Sequence, residues 1–203
     1  GVPAIVKPAT ATCYVTELAV RLMLDSGILP EGALQLVSGG LGDMLDHLTM
    51  QDVVSFTGSA HTALKLRQTP AILENSVRFV AEQDSLNASI LGPDAVPGTP
   101  EFDLFIKEVS REMTTKAGQK CTAVRRIITP ETQTEAVIEA LTARLAKTQI
   151  GDPRLESTRM GALVSASQKR DVLEKAAILA GEATRVFGNP EDFAVEGADA
   201  EKG

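Results

Sequence analysis

The sequence predicts an α/β fold in which helices flank open sheets of parallel strands. Short apolar runs at residues 4–6, 34–37 and 52–56 have the length and the bounding turn residues of buried strands. Stretches with the apolar spacing of amphipathic helices follow these runs. Because strands that alternate with helices need crossover connections, we expect the strands to pair in parallel.

The first part of the chain, residues 1–83, contains four predicted strands. They lie at residues 4–6, 34–37, 52–56 and 77–81. A helix capped by Thr10 or Thr12 is expected to end at Ser26-Gly27. Its predicted buried face consists of Val15, Leu18, Ala19 and Leu22. A second helix is expected at residues 60–67, after the turn Thr57-Gly58-Ser59.

The second part, residues 84–203, continues with strands predicted at residues 88–91 and 126–128. Apolar residues spaced three or four apart indicate helices within residues 102–113, 137–145 and 172–179. The stretch that begins at Asn189 is acidic and rich in small residues, so we expect it to fray. The pattern predicts parts of two domains that meet after residue 83.

Charge and composition exclude several classes of function. The formal net charge is −7, whereas a nucleic-acid partner requires a dense basic surface. No apolar run approaches the roughly 20 residues that span a bilayer, and the first residues do not resemble a signal peptide. The two cysteines therefore indicate free thiols and a cytoplasmic location, although a disulfide between them is the alternative. The histidines and cysteines lack metal-ligand spacing, so no metal site is expected.

Cys121 lies in a loop of small residues between a predicted helix and a predicted strand. A thiol in this position can face a cleft, and its backbone N–H is free to stabilise a developing oxyanion. Lys116 and Lys120 are expected to raise the ionised fraction of the thiol. The local pattern by itself still favours a buried, inert cysteine. Cys13, inside a predicted helix, is expected to serve packing.

A resemblance to a known family reverses that preference. The segment at residues 117–123, Ala-Gly-Gln-Lys-Cys-Thr-Ala, resembles the Gly-Gln-x-Cys motif that carries the nucleophile of aldehyde dehydrogenases. Four more segments are similar to motifs of that family and occur in its order, at residues 6–9, 55–59, 151–153 and 160–164. The chain most resembles the aldehyde dehydrogenase domain of PaaZ-type bifunctional ring-opening enzymes of phenylacetate degradation, on residues 84–87 and 114–123.

The resemblance implies an aldehyde dehydrogenase-like fold and a role for each part of the chain. Residues 1–83 would form the latter part of a cofactor-binding domain, and residues 84–203 the first part of a catalytic domain. Cys121 would be the nucleophile and Glu82 the base that activates water. Most relatives open this segment with Glu-Leu-Gly-Gly-Lys, whereas here Gln83-Asp84-Ser85-Leu86 follows the glutamate. Without the resemblance, Glu82 reads as a solvated acid at the end of a strand.

The cofactor implied by the resemblance is NADP or NAD. The helix that starts after Gly58 and Ser59 offers backbone N–H groups to a pyrophosphate. Gly42 belongs to a glycine loop that permits close backbone approach, although such a loop is most often only a turn. Lys7 would bond the adenosine ribose. Thr10 stands where NAD-preferring relatives often carry glutamate, so a ribose 2′-phosphate is not repelled.

The implied reaction oxidises an aldehyde, here a CoA-linked semialdehyde of aromatic degradation, to the carboxylic acid through a cysteine thioester. One alternative is a CoA-acylating dehydrogenase, but such relatives typically lack the glutamate. Another is a non-catalytic domain on the same scaffold. The family's amide-bearing Asn segment and its Glu-x-Phe-Gly-Pro segment are not in the sequence, so we expect the 203-residue chain alone to be inactive. The full-length protein is expected to form a homo-oligomer.

Overall fold

The structure, a computed structural model, describes residues 1–200. The chain divides into two compact units, Gly1–Asp84 and Ser85–Gly203. All three strand pairs in the described residues are parallel, and helices follow the strands along the chain. The predicted α/β class with parallel strands is confirmed. The assignment of the two parts to a cofactor-binding and a catalytic domain stays a prediction.

The first unit contains two strand pairs, β1–β2 and β3–β4. Its strands are β1 (Ala4–Val6), β2 (Leu34–Leu36), β3 (Val53–Gly58) and β4 (Arg78–Gln83). Its helices are α1 (Cys13–Asp25), α2 (Ala60–Arg67) and α3 (Pro70–Glu74). The α2 helix begins where the sequence predicts, because the Ser59 hydroxyl caps it by accepting the Thr62 N–H at 3.2 Å.

The second unit is built around one apolar core. Its elements are β5 (Ala88–Ile90), α4 (Pro100–Thr114), β6 (Arg126–Ile128), α5 (Thr134–Leu145) and α6 (Ala166–Ala180). Thr99 caps α4, and the acidic Glu101 and Asp103 in its first turn favour the helix dipole. The core residues come from the end of β5, α4 and α5, and include Leu91, Phe102, Ile106, Val109, Val137 and Leu141.

The apolar face predicted for the first helix is not buried within this chain. In α1, Val15, Leu18 and Leu22 are exposed, and Val20 is the buried residue. Leucine, methionine and valine occur on several sides of this helix, so the apolar spacing could not identify the side that packs. Helix α6 contains no buried residue in the described part of the chain.

The expectation that the stretch from Asn189 frays is wrong at Glu196. The Glu196 carbonyl accepts the Asp152 N–H at 2.9 Å, and its N–H donates to the Ile150 carbonyl at 2.9 Å. A Cβ on Gly151 would collide with the Glu196 backbone, so only glycine permits this approach. The Gly-Asp-Pro motif at residues 151–153 thus anchors the acidic stretch.

Within residues 1–200, no helix combines the length and the apolar character that crossing a membrane requires.

Candidate active site

The Cys121 loop, residues 115–122, follows α4 and holds the predicted nucleophile at the surface. Cys121 is exposed and its thiol is free, while Ala123, two residues later, is fully buried. Lys116, Ala117 and Gly118 all adopt left-handed backbone conformations, with φ of 54°, 52° and 71°. For a residue with a Cβ this conformation costs roughly 1–2 kcal/mol. The loop therefore needs contacts that hold it in this shape.

Asn87 supplies the contact that reaches the nucleophile directly. Its side-chain amide donates to the carbonyl of Cys121 at 2.6 Å and to the carbonyl of Ala123 at 3.3 Å. Its own carbonyl accepts the N–H groups of Arg125 and Arg126, at 2.9 and 3.1 Å. The half-buried Asn87 thereby joins the start of β5 to Cys121 and to the segment that follows the Cys121 loop.

The Gln119 side chain connects the Cys121 loop to residues 160–164. Its amide nitrogen donates to the Lys116 carbonyl at 2.9 Å and to the Ala162 carbonyl at 3.3 Å. Its oxygen accepts the Val164 N–H at 2.8 Å. Two of the segments that resemble family motifs are therefore in direct contact, and the glutamine explains why.

Arg125 and Arg126 bond to backbone carbonyls. Arg125 donates to the carbonyl of Gly118 at 2.9 Å, inside the left-handed turn, and more weakly to that of Lys120 at 3.4 Å. Arg126 donates to the carbonyl of Leu86 at 3.0 Å. Both guanidinium groups thus brace the segments on either side of Cys121.

Lys120, one of the two lysines expected to activate the thiol, is paired with an acid. Its ammonium lies 2.9 and 2.8 Å from the two carboxylate oxygens of Glu112, and both side chains are about four-fifths buried. A cation paired in this way has little field left to stabilise a neighbouring thiolate. Of the two lysines, only Lys116 has no acidic partner in residues 1–200.

The Cys121 N–H donates no hydrogen bond within residues 1–200. An unpaired N–H next to an exposed thiol can stabilise negative charge on an oxygen bonded to the carbon that the sulfur attacks. Cys13, in contrast, is half-buried in the first turn of α1, as the packing interpretation expects.

The carboxyl ends of β3 and β4 bring Glu82 close to Gly58 and Ser59. In the parallel register Thr57 lies opposite Glu82, and Gly58 opposite Gln83. Glu82 is exposed and has no ion pair in the described residues. The Phe56 ring packs over Gly58, and a Cβ there would meet this ring at 2.5 Å, so a larger residue would displace the phenylalanine side chain. The carboxyl edge of parallel strands is where α/β proteins bind ligands.

Asp84 lies at this same edge and caps α2. Its carboxylate accepts the Ala60 N–H at 3.1 Å, and its own N–H donates to the Gly58 carbonyl at 3.1 Å. Its φ of 49° is left-handed, a conformation that aspartate tolerates better than most residues. An anion that binds at the start of α2 therefore has to share it with the carboxylate of Asp84.

The remaining predicted cofactor residues follow β1 and β2. Lys7 is exposed directly after β1, and Thr10 is exposed at the start of a 3-10 turn. Gly42 follows β2 with a φ of 58° and open space around it. Because β1 and β2 are parallel, Lys7 and the loop that contains Gly42 leave the sheet at the same edge.

Comparison with known protein families shows to which family this chain belongs. Residues 1–197 match the profile of the Aldehyde dehydrogenase family. The chain belongs to this family. The resemblance inferred from its motifs is thereby confirmed.

Individual aldehyde dehydrogenases are also similar to this chain in sequence or in structure. The chain is 50% identical over 200 residues to 3,4-dehydroadipyl-CoA semialdehyde dehydrogenase from Aromatoleum evansii, covering 98% of this chain and 39% of that protein. Betaine aldehyde dehydrogenase from Staphylococcus aureus, solved as a double mutant in complex with NAD+, gives a TM-score of 0.80 at 24% identity over 92% of this chain and 37% of the other. The chain thus spans about two fifths of the length of these aldehyde dehydrogenases.

Two side chains that organise the site, Asn87 and Asp84, are not among the residues that the sequence assigns to it. Gln119 is signalled by its place in the Gly-Gln-x-Cys motif. Asp84 is signalled only as a departure from the glycine that relatives carry. Asn87 lies in the segment at residues 84–87 that carries the resemblance, but nothing local signals its role, since its partners are 34 and 36 residues away.

Proposed function

We propose that the full-length protein that contains this chain oxidises an aldehyde to the carboxylic acid with NAD(P)+, through a thioester on Cys121. The observation that carries the proposal is the Cys121 loop. It presents an exposed thiol beside an unpaired N–H and is held by side chains that bond its backbone. A cysteine that serves packing alone is typically buried.

The chemistry proposed for Cys121 is nucleophilic. Its thiolate attacks the aldehyde carbon, and the carbonyl oxygen becomes an oxyanion that the Cys121 N–H stabilises. Loss of a hydride from the same carbon leaves a thioester. Bound NAD(P)+ would supply the acceptor for that hydride.

Glu82 is proposed as the general base of the second half of the reaction. Its carboxylate takes a proton from water, the hydroxide adds to the thioester carbon, and the Cys121 thiolate leaves as the acid forms. An exposed carboxylate without an ion pair is available to accept that proton. The proposal of Glu82 for this step comes from the family resemblance.

The residues proposed for the dinucleotide fit its chemistry. Lys7 offers a cation without an acidic partner in residues 1–200, at the edge that also carries the open loop of Gly42. Ser59 and the start of α2 offer polar groups at the edge that carries Glu82. Thr10 in place of an acid does not repel a ribose 2′-phosphate, so NADP is proposed to be used at least as well as NAD.

The substrate is proposed to be a CoA-linked semialdehyde, because the 50% identical relative is named for one. The first unit is proposed as part of the cofactor-binding domain and the second as part of the catalytic domain. A cytoplasmic location and a homo-oligomeric assembly stay predictions that rest on the composition and on the family.

The experiment that tests this function uses Glu82→Gln in the full-length enzyme. The substitution keeps the size of the side chain but removes its basicity, which is worth about 10²–10⁴-fold in rate. We expect one burst of NAD(P)H per site, followed by a stall and an acyl adduct on Cys121 in intact-mass spectra. Cys121→Ala should abolish the burst and the adduct, and Cys13→Ala should change neither.

Each other outcome contradicts a defined part of the proposal. A burst that survives Cys121→Ala removes the nucleophile assignment. Normal steady turnover of Glu82→Gln removes Glu82 from the mechanism and favours the CoA-acylating alternative. Equal losses from Cys121→Ala and Cys13→Ala indicate a structural role for both cysteines.

A further inference from the structure

A groove in the second unit has a charge opposite to that of the protein as a whole. It has a volume of about 650 Å³ and lies between α4, α5 and the segment that follows α5. Five cationic side chains line it, namely Lys107, Arg111, Arg144, Lys147 and Arg159. They are a quarter of the 20 lysines and arginines in a chain with a net charge of −7.

Most of this charge is not neutralised. Arg111 lies 2.5 Å from Glu108 and 3.9 Å from Glu112, both on its own helix. Arg159 donates to the carbonyls of Glu156 and Thr158, which carry no charge. Lys107, Arg144 and Lys147 have no acidic partner within residues 1–200. A cleft lined by one sign of charge concentrates the opposite sign in its interior.

The rest of the lining suits a ligand that is only partly charged. Ile106, Ala140 and Ala143 provide an apolar surface, and Ser110 and Thr114 add hydroxyl oxygens. The volume lies in the range of small-molecule sites. This lining matches a phosphorylated nucleotide, because the cations can bind its phosphates and the apolar surface can pack against its base.

The groove is also continuous with the elements that carry the nucleophile. Thr114 ends α4, and the Cys121 loop begins at the next residue. Arg159 directly precedes the segment that Gln119 contacts at Ala162 and Val164. A ligand held here is anchored to the same two segments that support Cys121.

We propose that this groove binds the phosphorylated nucleotide end of a CoA-linked aldehyde. The proposal rests on the function proposed above and adds a site for the part of the substrate that does not react. Its consequence is selectivity: the groove contributes to the binding of CoA-linked aldehydes and contributes nothing to that of free aldehydes.

The test compares KM values in the full-length enzyme carrying Arg144→Ala and Lys147→Ala together. Both residues are exposed, and alanine preserves the end of α5. Losing two exposed charge pairs with phosphate should raise KM for a CoA-linked aldehyde roughly tenfold. KM for a free aldehyde of the same chain length, and KM for NAD(P)+, should stay within about twofold. Free coenzyme A should inhibit the wild type more strongly than the variant.

Lys175→Ala is the matched control, because Lys175 is an exposed lysine of the same unit that lies outside the groove. It should leave all three KM values unchanged. If the double variant raised KM equally for both aldehydes, or for neither, the proposal that the groove binds the CoA nucleotide would be wrong. A rise confined to NAD(P)+ would also overturn it, because the groove would then hold the dinucleotide.

The proposed function can fail separately. A wild-type enzyme that oxidises neither aldehyde overturns that function, whatever the groove binds. If the wild type oxidises both aldehydes and the double variant shows no selective rise in KM for the CoA-linked one, only the proposed role of the groove is wrong.

Discussion

The contact between Asn87 and the Cys121 loop allows a quantitative test of how the nucleophile is positioned. Asn87→Ala removes the hydrogen bonds to the Cys121 carbonyl, at 2.6 Å, and to the Ala123 carbonyl, at 3.3 Å. The backbone carbonyl of residue 87 keeps its bonds to the N–H groups of Arg125 and Arg126. The variant therefore loosens the nucleophile without detaching β5 from the segment before β6.

The expected magnitude follows from these two bonds. Each is worth about 0.5–1.5 kcal/mol net, and the longer bond belongs at the low end of that range. Their loss thus destabilises the aligned loop by about 1–2 kcal/mol. Since 1.4 kcal/mol corresponds to about a tenfold change, we expect kcat/KM of the full-length enzyme to fall roughly tenfold.

Two measurements and one control separate positioning from general destabilisation. The rate of Cys121 alkylation by a neutral electrophile reports the presentation of the thiol, and urea unfolding reports global stability. Asn75→Ala is the matched control. The side-chain amide of Asn75 also donates to a distant backbone carbonyl, that of Leu48 at 2.8 Å, but it lies in the first unit, which does not contain Cys121. If the two variants lose equal stability and equal kcat/KM, Asn87 has a structural role only.

Two further predictions concern the cofactor and pH. Thr10→Glu should lower kcat/KM for NADP+ more than for NAD+, because a carboxylate would repel the 2′-phosphate; an unchanged ratio places Thr10 away from that position. Bonds from the Arg154 side chain and backbone N–H lower the pKa of Asp152 from 3.8 to about 2. A lowered pKa stabilises the fold above pH 3.8, and this contribution is lost as the pH falls towards 2. Asp152→Asn should therefore flatten the decline of the urea midpoint between pH 4 and pH 2, and an unchanged slope contradicts the assignment.

The order of strands and helices could be predicted because each has a local cause. Ser59 caps α2, which begins at Ala60 as the pattern predicts, whereas α4 begins at Pro100 after its Thr99 cap, two residues before the predicted range. The buried face of α1 could not be predicted, because apolar residues lie on several of its sides and tertiary contacts select one. Local signals thus define element bounds better than orientation.

The candidate site shows a similar limit. Cys121 and Gln119 could be found because one short motif contains both. The left-handed turn at Lys116 and Ala117 could not be found, since neither residue type favours that conformation. It depends on Arg125, whose guanidinium reaches back seven residues to Gly118. Such contacts become visible only when the backbone of both segments is known.

Asp84 shows how this chain departs from the family pattern without losing the geometry of the strand end. The Glu-Leu-Gly-Gly-Lys motif that this segment resembles has glycine where Asp84 stands, and the structure has φ of 49° there, a conformation that glycine adopts freely and aspartate tolerates. The side chain that replaces glycine then bonds the Ala60 N–H and so fixes the start of α2 to the end of β4. Glu82 lies two residues before this bond, in a strand paired with β3 up to Gln83. The strand pair and the Asp84 bond thus hold the backbone around Glu82 in a chain that lacks the Leu-Gly-Gly-Lys segment of most aldehyde dehydrogenases.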